Sequence, residues 1–410
     1  MQTRLPPHFT DTPAGTEANR ILRSCVHCGF CNATCPTYQL LGDELDGPRG
    51  RIYLIKRMLE GETAGAGTQR HLDRCLTCRA CETTCPSGVE YGRLLDIGRT
   101  HAESAIKRPR GERALRRLLG AVLPYPGRVR LALALARWFG ALLPTRLIRV
   151  APARRGRAPA SDLHWPEARH ARRVLILDGC VQAVTHPHIN AAAARLLDRH
   201  GVSLVRVAGS GCCGAVTHHL SQEMATRTFM RHNIDVWWPE VERGAEAIVT
   251  SASACSGMVR DYGHLLRDDP AYAEKARRIS ALAGDLVDVV ARLGLAPRPP
   301  PPAPRRIAFH APCSLQHGLR AHTTVETLLQ HAGFELTPVA EGHLCCGAAG
   351  TYSVLQPELS ARLLENKLAA LLAGAPEAIA SANIGCLLQL ERNASIPVRH
   401  WIELLEEAHR

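Results

Sequence analysis

Twice in its first quarter the chain sets four cysteines within eleven residues and closes the run with proline. Cys25, Cys28, Cys31 and Cys35 read C-V-H-C-G-F-C-N-A-T-C before Pro36, and Cys75, Cys78, Cys81 and Cys85 read C-L-T-C-R-A-C-E-T-T-C before Pro86. Both runs are C-x2-C-x2-C-x3-C-P, the ligand spacing of two-cluster 4Fe–4S proteins. Three thiolates two residues apart wrap a tight loop around three irons of a cube, and the proline turns the chain away. In such proteins the fourth cysteine serves the other cluster. Cys25, Cys28, Cys31 and Cys85 are therefore expected to hold one cube, and Cys75, Cys78, Cys81 and Cys35 the second. Structural zinc prefers two separated Cys/His pairs, a pattern these runs do not follow. His27 and His71 lie near the runs and are expected to be solvated loop residues rather than ligands.

The other cysteines bear on how the whole chain is built. Of sixteen, eight precede residue 86, four fall between 180 and 255, and four between 313 and 386. The polar, proline-containing start from Met1 to Arg20 has no apolar core of a secretory signal. Thiols of a chain kept in a reducing compartment point to metal or catalysis rather than to a disulfide framework. No apolar run reaches the roughly 18–20 residues that a spanning helix needs. The expected location is cytoplasmic, or peripheral on the inner face of the membrane.

Between the runs, Gly42–Gly50 is turn-rich, and a helix is expected from Arg51 to Gly61; Arg49 and Arg51 either tune a cluster's potential by their charge or, the favoured reading, simply flank the helix start. A second helix is expected through Gly92–Ala105. Residues 1–106 thus read as an α-helical two-cluster domain. From Lys107 to Arg157 basic residues dominate, Glu112 is the sole acidic one, and aliphatic stretches intervene. This connector, 107–170, reads as basic amphipathic helices broken at Pro124 and Pro126. They either lie on an anionic bilayer or pack on neighbouring domains. The net charge of +12 is carried largely there. Without a nucleic-acid module, and with the charges interleaved with aliphatics, no nucleic acid partner is expected.

The remainder contains one unit twice. A short strand R-V-L-I-L-D-G-C ends at Cys180, a helix and strand lead to G-C-C-G with Cys212 and Cys213, and A-I-V-T-S-A-S-A-C ends at Cys255. In the second copy R-I-A-F-H-A-P-C ends at Cys313, L-C-C-G carries Cys345 and Cys346, and A-I-A-S-A-N-I-G-C ends at Cys386. A proline-rich linker, Pro297–Pro304, separates the copies, placed at 171–296 and 305–410. Alternating strands and helices predict small parallel α/β layers. The cysteines fall at strand ends, where open α/β sheets carry their sites. Glycine after each pair is expected to let backbone approach whatever the thiolates bind. For these eight thiols three readings stay open: a further iron–sulfur centre, thiol–disulfide chemistry, or buried structural cysteine. His218, His219, Trp237 and Trp238 are expected to be packing or surface residues.

Two such runs followed by two CCG (cysteine-rich) units resemble the iron–sulfur subunit of glycolate oxidase (glycolate dehydrogenase). The resemblance extends to D-G-P-R-G-R-I-Y-L-I-K, P-S-G-V-E-Y-G, L-C-C-G-A-A-G-T-Y-S-V-L-Q-P and R-H-W-I-E-L-L. It implies electron transfer through two 4Fe–4S clusters. Glycolate would be oxidised to glyoxylate on FAD-bearing partner subunits, and the electrons would pass toward a membrane quinone. The equivalent subunit of an L-lactate or glycerol 3-phosphate dehydrogenase is the neighbouring alternative. Heterodisulfide reductase relatives, by resemblance, end each CCG unit in C-x-x-C. Here those stretches read Cys255–Met258 and Cys386–Gln389, one thiol short in each unit.

Overall fold

A cysteine loop that wraps a compact centre needs backbone that doubles back, and both runs supply it in the same way. His27 and Gly29 in the first loop, and Thr77 and Arg79 in the second, have positive φ. One short helical segment follows each loop, Phe30–Ala33 and Ala80–Thr84. The computed structural model describes residues 1–139 and 160–410.

Three helices frame the loops: α1 (Pro13–Ser24), α2 (Pro48–Leu59) and α3 (Tyr91–Ala105). Pro13 and the Thr12 side chain, which accepts from the Gly15 N–H, start α1. Ile21, Leu22, Ile55, Leu94 and Leu95 are fully buried between the three. A Cβ at Gly98 would meet Ile55 Cγ1 at 2.7 Å, so glycine there lets α2 and α3 close.

Beneath them the Asp46 carboxylate is completely buried. It takes Arg74 Nη1 at 2.7 Å, His71 Nδ1 at 3.0 Å and Arg51 Nη2 at 3.4 Å. The sequence reading of His71 as solvated is corrected here, and of the two readings of Arg51 the plain helix-start flank gives way. Both are buried, because a buried carboxylate needs partners.

The connector begins with α4 (Arg110–Val122) and α5 (Pro126–Phe139), bent by 116° at the break. α4 is packed: its Arg116 shares Asp73 with Arg108, just ahead of the helix, and Leu119 buries against Leu220 and Val354 of the two repeats. Along α5, Leu131, Leu135 and Trp138 are exposed. The rest of the basic stretch, including Arg146, Arg149, Arg154, Arg155 and Arg157, lies outside the described residues.

The repeated units are two all-parallel four-stranded sheets. In the first, β1 (Arg172–Ile176), β2 (Val202–Arg206), β3 (Ala247–Thr250) and β4 (Ala283–Asp285) lie in the order β2-β1-β3-β4. In the second, β5 (Arg306–His310), β6 (Glu335–Leu336), β7 (Ala378–Ser381) and β8 (Val398–His400) repeat it as β6-β5-β7-β8. β6 is short because Pro338 has no N–H for the ladder. The duplication reaches detail: Asp285 and His400 end the last strands and both form capping boxes with the following helices. Apolar residues of both repeats share one core, Val174, Ile176 and Leu197 of the first with Ile307, Phe309 and Leu404 of the second. Arg195 and Arg199 of α6 (Pro187–Arg199) clamp Glu406 of α7 (Trp401–Ala408) across this junction.

Candidate metal centres and the cavity between them

The N-terminal thiols gather into two cavities. Cys25, Cys28, Cys31 and Cys85 line one, with Cys81 at its edge; Cys35, Cys75, Cys78 and Cys81 line the other. Each loop thus meets the fourth cysteine of the opposite run, the crossed grouping expected from the spacing. The two differ in depth. Cys28 is the one exposed cysteine of the sixteen, flanked by Val26 and Phe30 at 67% and 61% exposure. All four thiols of the second group are buried.

The surroundings suit thiolate-bound iron. The Thr77 N–H and the Tyr91 hydroxyl donate to Cys75 Sγ at 3.4 and 3.7 Å, and the Val89 N–H to Cys85 Sγ at 3.5 Å. Thr37 Oγ1 lies 3.3 Å from Cys35 Sγ. Arg51 is held beside Cys35 and Cys75 by its bond to Thr37 Oγ1, and its charge faces their thiols. Burial pushes the Cys31 thiol up to about 11, and Cys78 and Cys81 well above the usual thiol range. When free, these three thiols are therefore protonated at neutral pH, and cluster assembly must release their protons. Eight cysteines so grouped, with donors aimed at sulfur, fit two 4Fe–4S clusters, which when bound exchange single electrons.

The repeats bring their thiols to the ends of the strands. Cys180, Cys212, Cys213 and Cys255 touch in sequence, each thiol against the next; Cys313, Cys345, Cys346 and Cys386 do the same. A cavity of about 350 Å³ separates the groups and is bordered by both, and by Cys75 and Cys78 of the second N-terminal group. Cys78 and Cys345 share an apolar cluster with Leu76 and Tyr352, whose hydroxyl donates to the Arg74 carbonyl at 3.0 Å. The second repeat is thereby seated on the deeper centre.

The residues around these thiols take several roles. The glycine after each pair turns the chain and brings its own N–H to the pair's first thiol, Gly214 to Cys212 Sγ and Gly347 to Cys345 Sγ, both at 3.4 Å. Gly214 and Gly347 have φ of 92° and 83°, and a Cβ at Gly347 would sit 2.6 Å from the Ser360 carbonyl. Met258 packs in the first repeat's core, while Gln389 Nε2 donates to Ser360 Oγ at 3.0 Å. Trp237 is packing, as expected. His218 is more than packing: it borders the cavity and pairs with Asp96 at 3.2 Å. Burial opposes its charge, but Asp96 prevails and raises its pKa, while burial pushes neighbouring His219 down to about 4. His310, to which no cysteine spacing points, is enclosed beside the second thiol group. A single histidine on an apolar strand carries no spacing signal that would have found it.

Residues 21–89 match the family described as 4Fe-4S dicluster domain, and residues 174–260 and 307–391 match the Cysteine-rich domain. The glycolate oxidase iron-sulfur subunit of Escherichia coli (strain K12) is 49% identical over 411 residues, spanning 100% of this chain and 99% of that protein. A probable glycolate oxidase iron-sulfur subunit of Bacillus subtilis (strain 168) is 30% identical over 94% of each chain. Lactate utilization protein A of Bacillus licheniformis is 27% identical over 239 residues, 57% of this chain and 98% of its own length.

Proposed function

The chain belongs to the family of glycolate oxidase iron–sulfur subunits, and from that premise we propose that it carries the electrons of glycolate oxidation from an FAD-bearing partner subunit toward a membrane quinone. The observation that carries this reading is the unequal depth of the two thiol groups. One sits at the surface around exposed Cys28, with Val26 and Phe30 as an apolar rim for a partner. The other is sealed against the second repeat. Electrons enter at the first and leave through the interior. Oxidation of glycolate to glyoxylate itself belongs to the partner, where the flavin accepts two electrons and this chain passes them on singly.

The chain acts in the cytoplasm, at the inner membrane face. Exposed Leu131, Leu135 and Trp138 on α5, among Arg128 and Arg130, suit the boundary of an anionic bilayer. No single described helix is long and apolar enough to cross a membrane.

The test is an anaerobic pull-down of the tagged chain from its host, assayed for dye reduction with glycolate, D-lactate, L-lactate and glycerol 3-phosphate. Glycolate-driven reduction that vanishes when the flavin chains are stripped supports the assignment. Reduction only by L-lactate or glycerol 3-phosphate assigns the chain to another substrate. A second reading, disulfide reduction between the repeats, has the shared thiol lining of the central cavity in its favour. Met258 and Gln389, standing where each unit would need a further thiol, count against it.

A further inference from the structure

The two repeats share strand order, thiol order and caps, yet one of them has acquired two buried nitrogen side chains beside its thiols. Aligning Cys180 with Cys313 sets Leu177 against His310. Aligning the helix starts at Gln222 and Gln356 sets Asn233 against Lys367. His310 is 2% exposed, and neither of its ring nitrogens has a hydrogen-bond partner. A buried imidazole left so incurs a desolvation cost that an unrecorded ligand would relieve.

What stands beside it is decisive. A ring nitrogen of His310, Cys346 Sγ and Cys386 Sγ all lie within 4.8 Å of one another. Among the described residues only one other trio of donors comes so close, Asp43, Asp46 and His71, and its Asp46 is already occupied by Arg51 and Arg74. Neither N-terminal thiol group contains such a trio, as befits thiolates bound to different irons of a cube. The first repeat contains none either.

We propose that the second repeat holds a single tetrahedral metal ion, zinc by its chemistry, on His310, Cys346 and Cys386. Zinc–sulfur bonds near 2.3 Å and zinc–nitrogen bonds of about 2.0 Å place donors closer than 4 Å, so a small inward movement of three buried side chains completes the site. The fourth position is open to Cys345, whose thiol touches that of Cys346, or to water. Binding releases the thiol protons and leaves the thiolates facing Lys367. That residue is 3% exposed, held by the carbonyls of Glu341 and Gly342 at 3.0 and 3.3 Å, and its ammonium faces Cys345, Cys346 and Cys386. Asn383 Nδ2, donating to Cys386 Sγ at 3.6 Å, supports one ligand from outside. The first repeat, with Leu177 and Asn233 at the matching places, lacks both the nitrogen ligand and the balancing cation. The ion fastens the second repeat beside the deeper N-terminal centre without taking part in electron exchange.

The site is tested on the full-length chain purified anaerobically with its clusters. Metal analysis should find about one zinc beside about eight irons, and zinc-edge X-ray absorption should show a mixed nitrogen and sulfur shell. His310→Leu, which installs the first repeat's own residue, should lower zinc at least tenfold while leaving iron and the electron paramagnetic signals of the cubes unchanged. His310→Cys should keep zinc but replace its nitrogen ligand by a third or fourth sulfur, which separates loss of a ligand from loss of fold. Zinc absent from the wild-type chain, an all-sulfur shell in it, or full zinc retention in His310→Leu would each overturn the proposal.

Discussion

Tyr91 and Arg51 reach the deeper thiol group from positions that no cysteine spacing marks. A donor to a ligating sulfur stabilises the reduced, more negative cluster. Tyr91→Phe should therefore lower the potential of that cluster with iron content unchanged, as read by redox-poised paramagnetic resonance. Asp46→Asn should cost more, because it leaves Arg51 buried without its counter-charge. The expected loss is about 3–5 kcal/mol in denaturant unfolding of the holo chain.

The His218–Asp96 pair predicts a pH dependence. His218 is raised by Asp96 against burial, with Asp261 adding to the effect and Arg99 opposing it; Asp96 is lowered by His218 against its own burial. A raised histidine contributes fully below its unfolded pKa of about 6.5 and loses that contribution as pH rises through its higher folded value. The wild-type chain should thus lose stability above about pH 6.5, and His218→Asn should flatten that slope in thermal unfolding. Cysteine ligands are legible in sequence because their chemistry fixes their spacing. Arg51, His71 and His310 are not, because each answers to a partner brought near only by folding.

At the scale of elements, the crossed grouping of the N-terminal loops has a direct consequence. Cys35→Ser should damage the centre of Cys75, Cys78 and Cys81, which begins forty residues further along the chain, and spare the centre beside it in sequence. Iron should fall from about eight to about four per chain, and the surviving signal should belong to the exposed cluster. The junction of the repeats rests on Glu406, 1% exposed and bonded to Arg195, Arg199 and Arg410. Burial works against its charge, yet the three guanidiniums hold its carboxyl down to about 2. Glu406→Gln should cost roughly 2 kcal/mol near pH 7 in urea unfolding, a cost that shrinks toward pH 2 as the wild-type carboxylate protonates. The duplicated strands and their parallel sheets follow from patterning that recurs in register. The packing of α4 against both repeats does not, since a basic amphipathic helix reads alike whether it faces lipid or Asp73.

The whole molecule arranges its thiols from surface to interior, and the family relationship makes that arrangement a path for electrons. If the exposed rim receives the flavin partner, Phe30→Glu should abolish glycolate-driven dye reduction while leaving iron content and dithionite-reducible clusters intact. The central claim is tested most directly by mixing the intact anaerobic complex with glycolate and following the visible absorbance of the clusters. Bleaching to most of the extent reached with dithionite, absent when this chain is purified alone and restored when the flavin subunits are returned, is the predicted result. Clusters that dithionite reduces but glycolate leaves oxidised in the intact complex would contradict it.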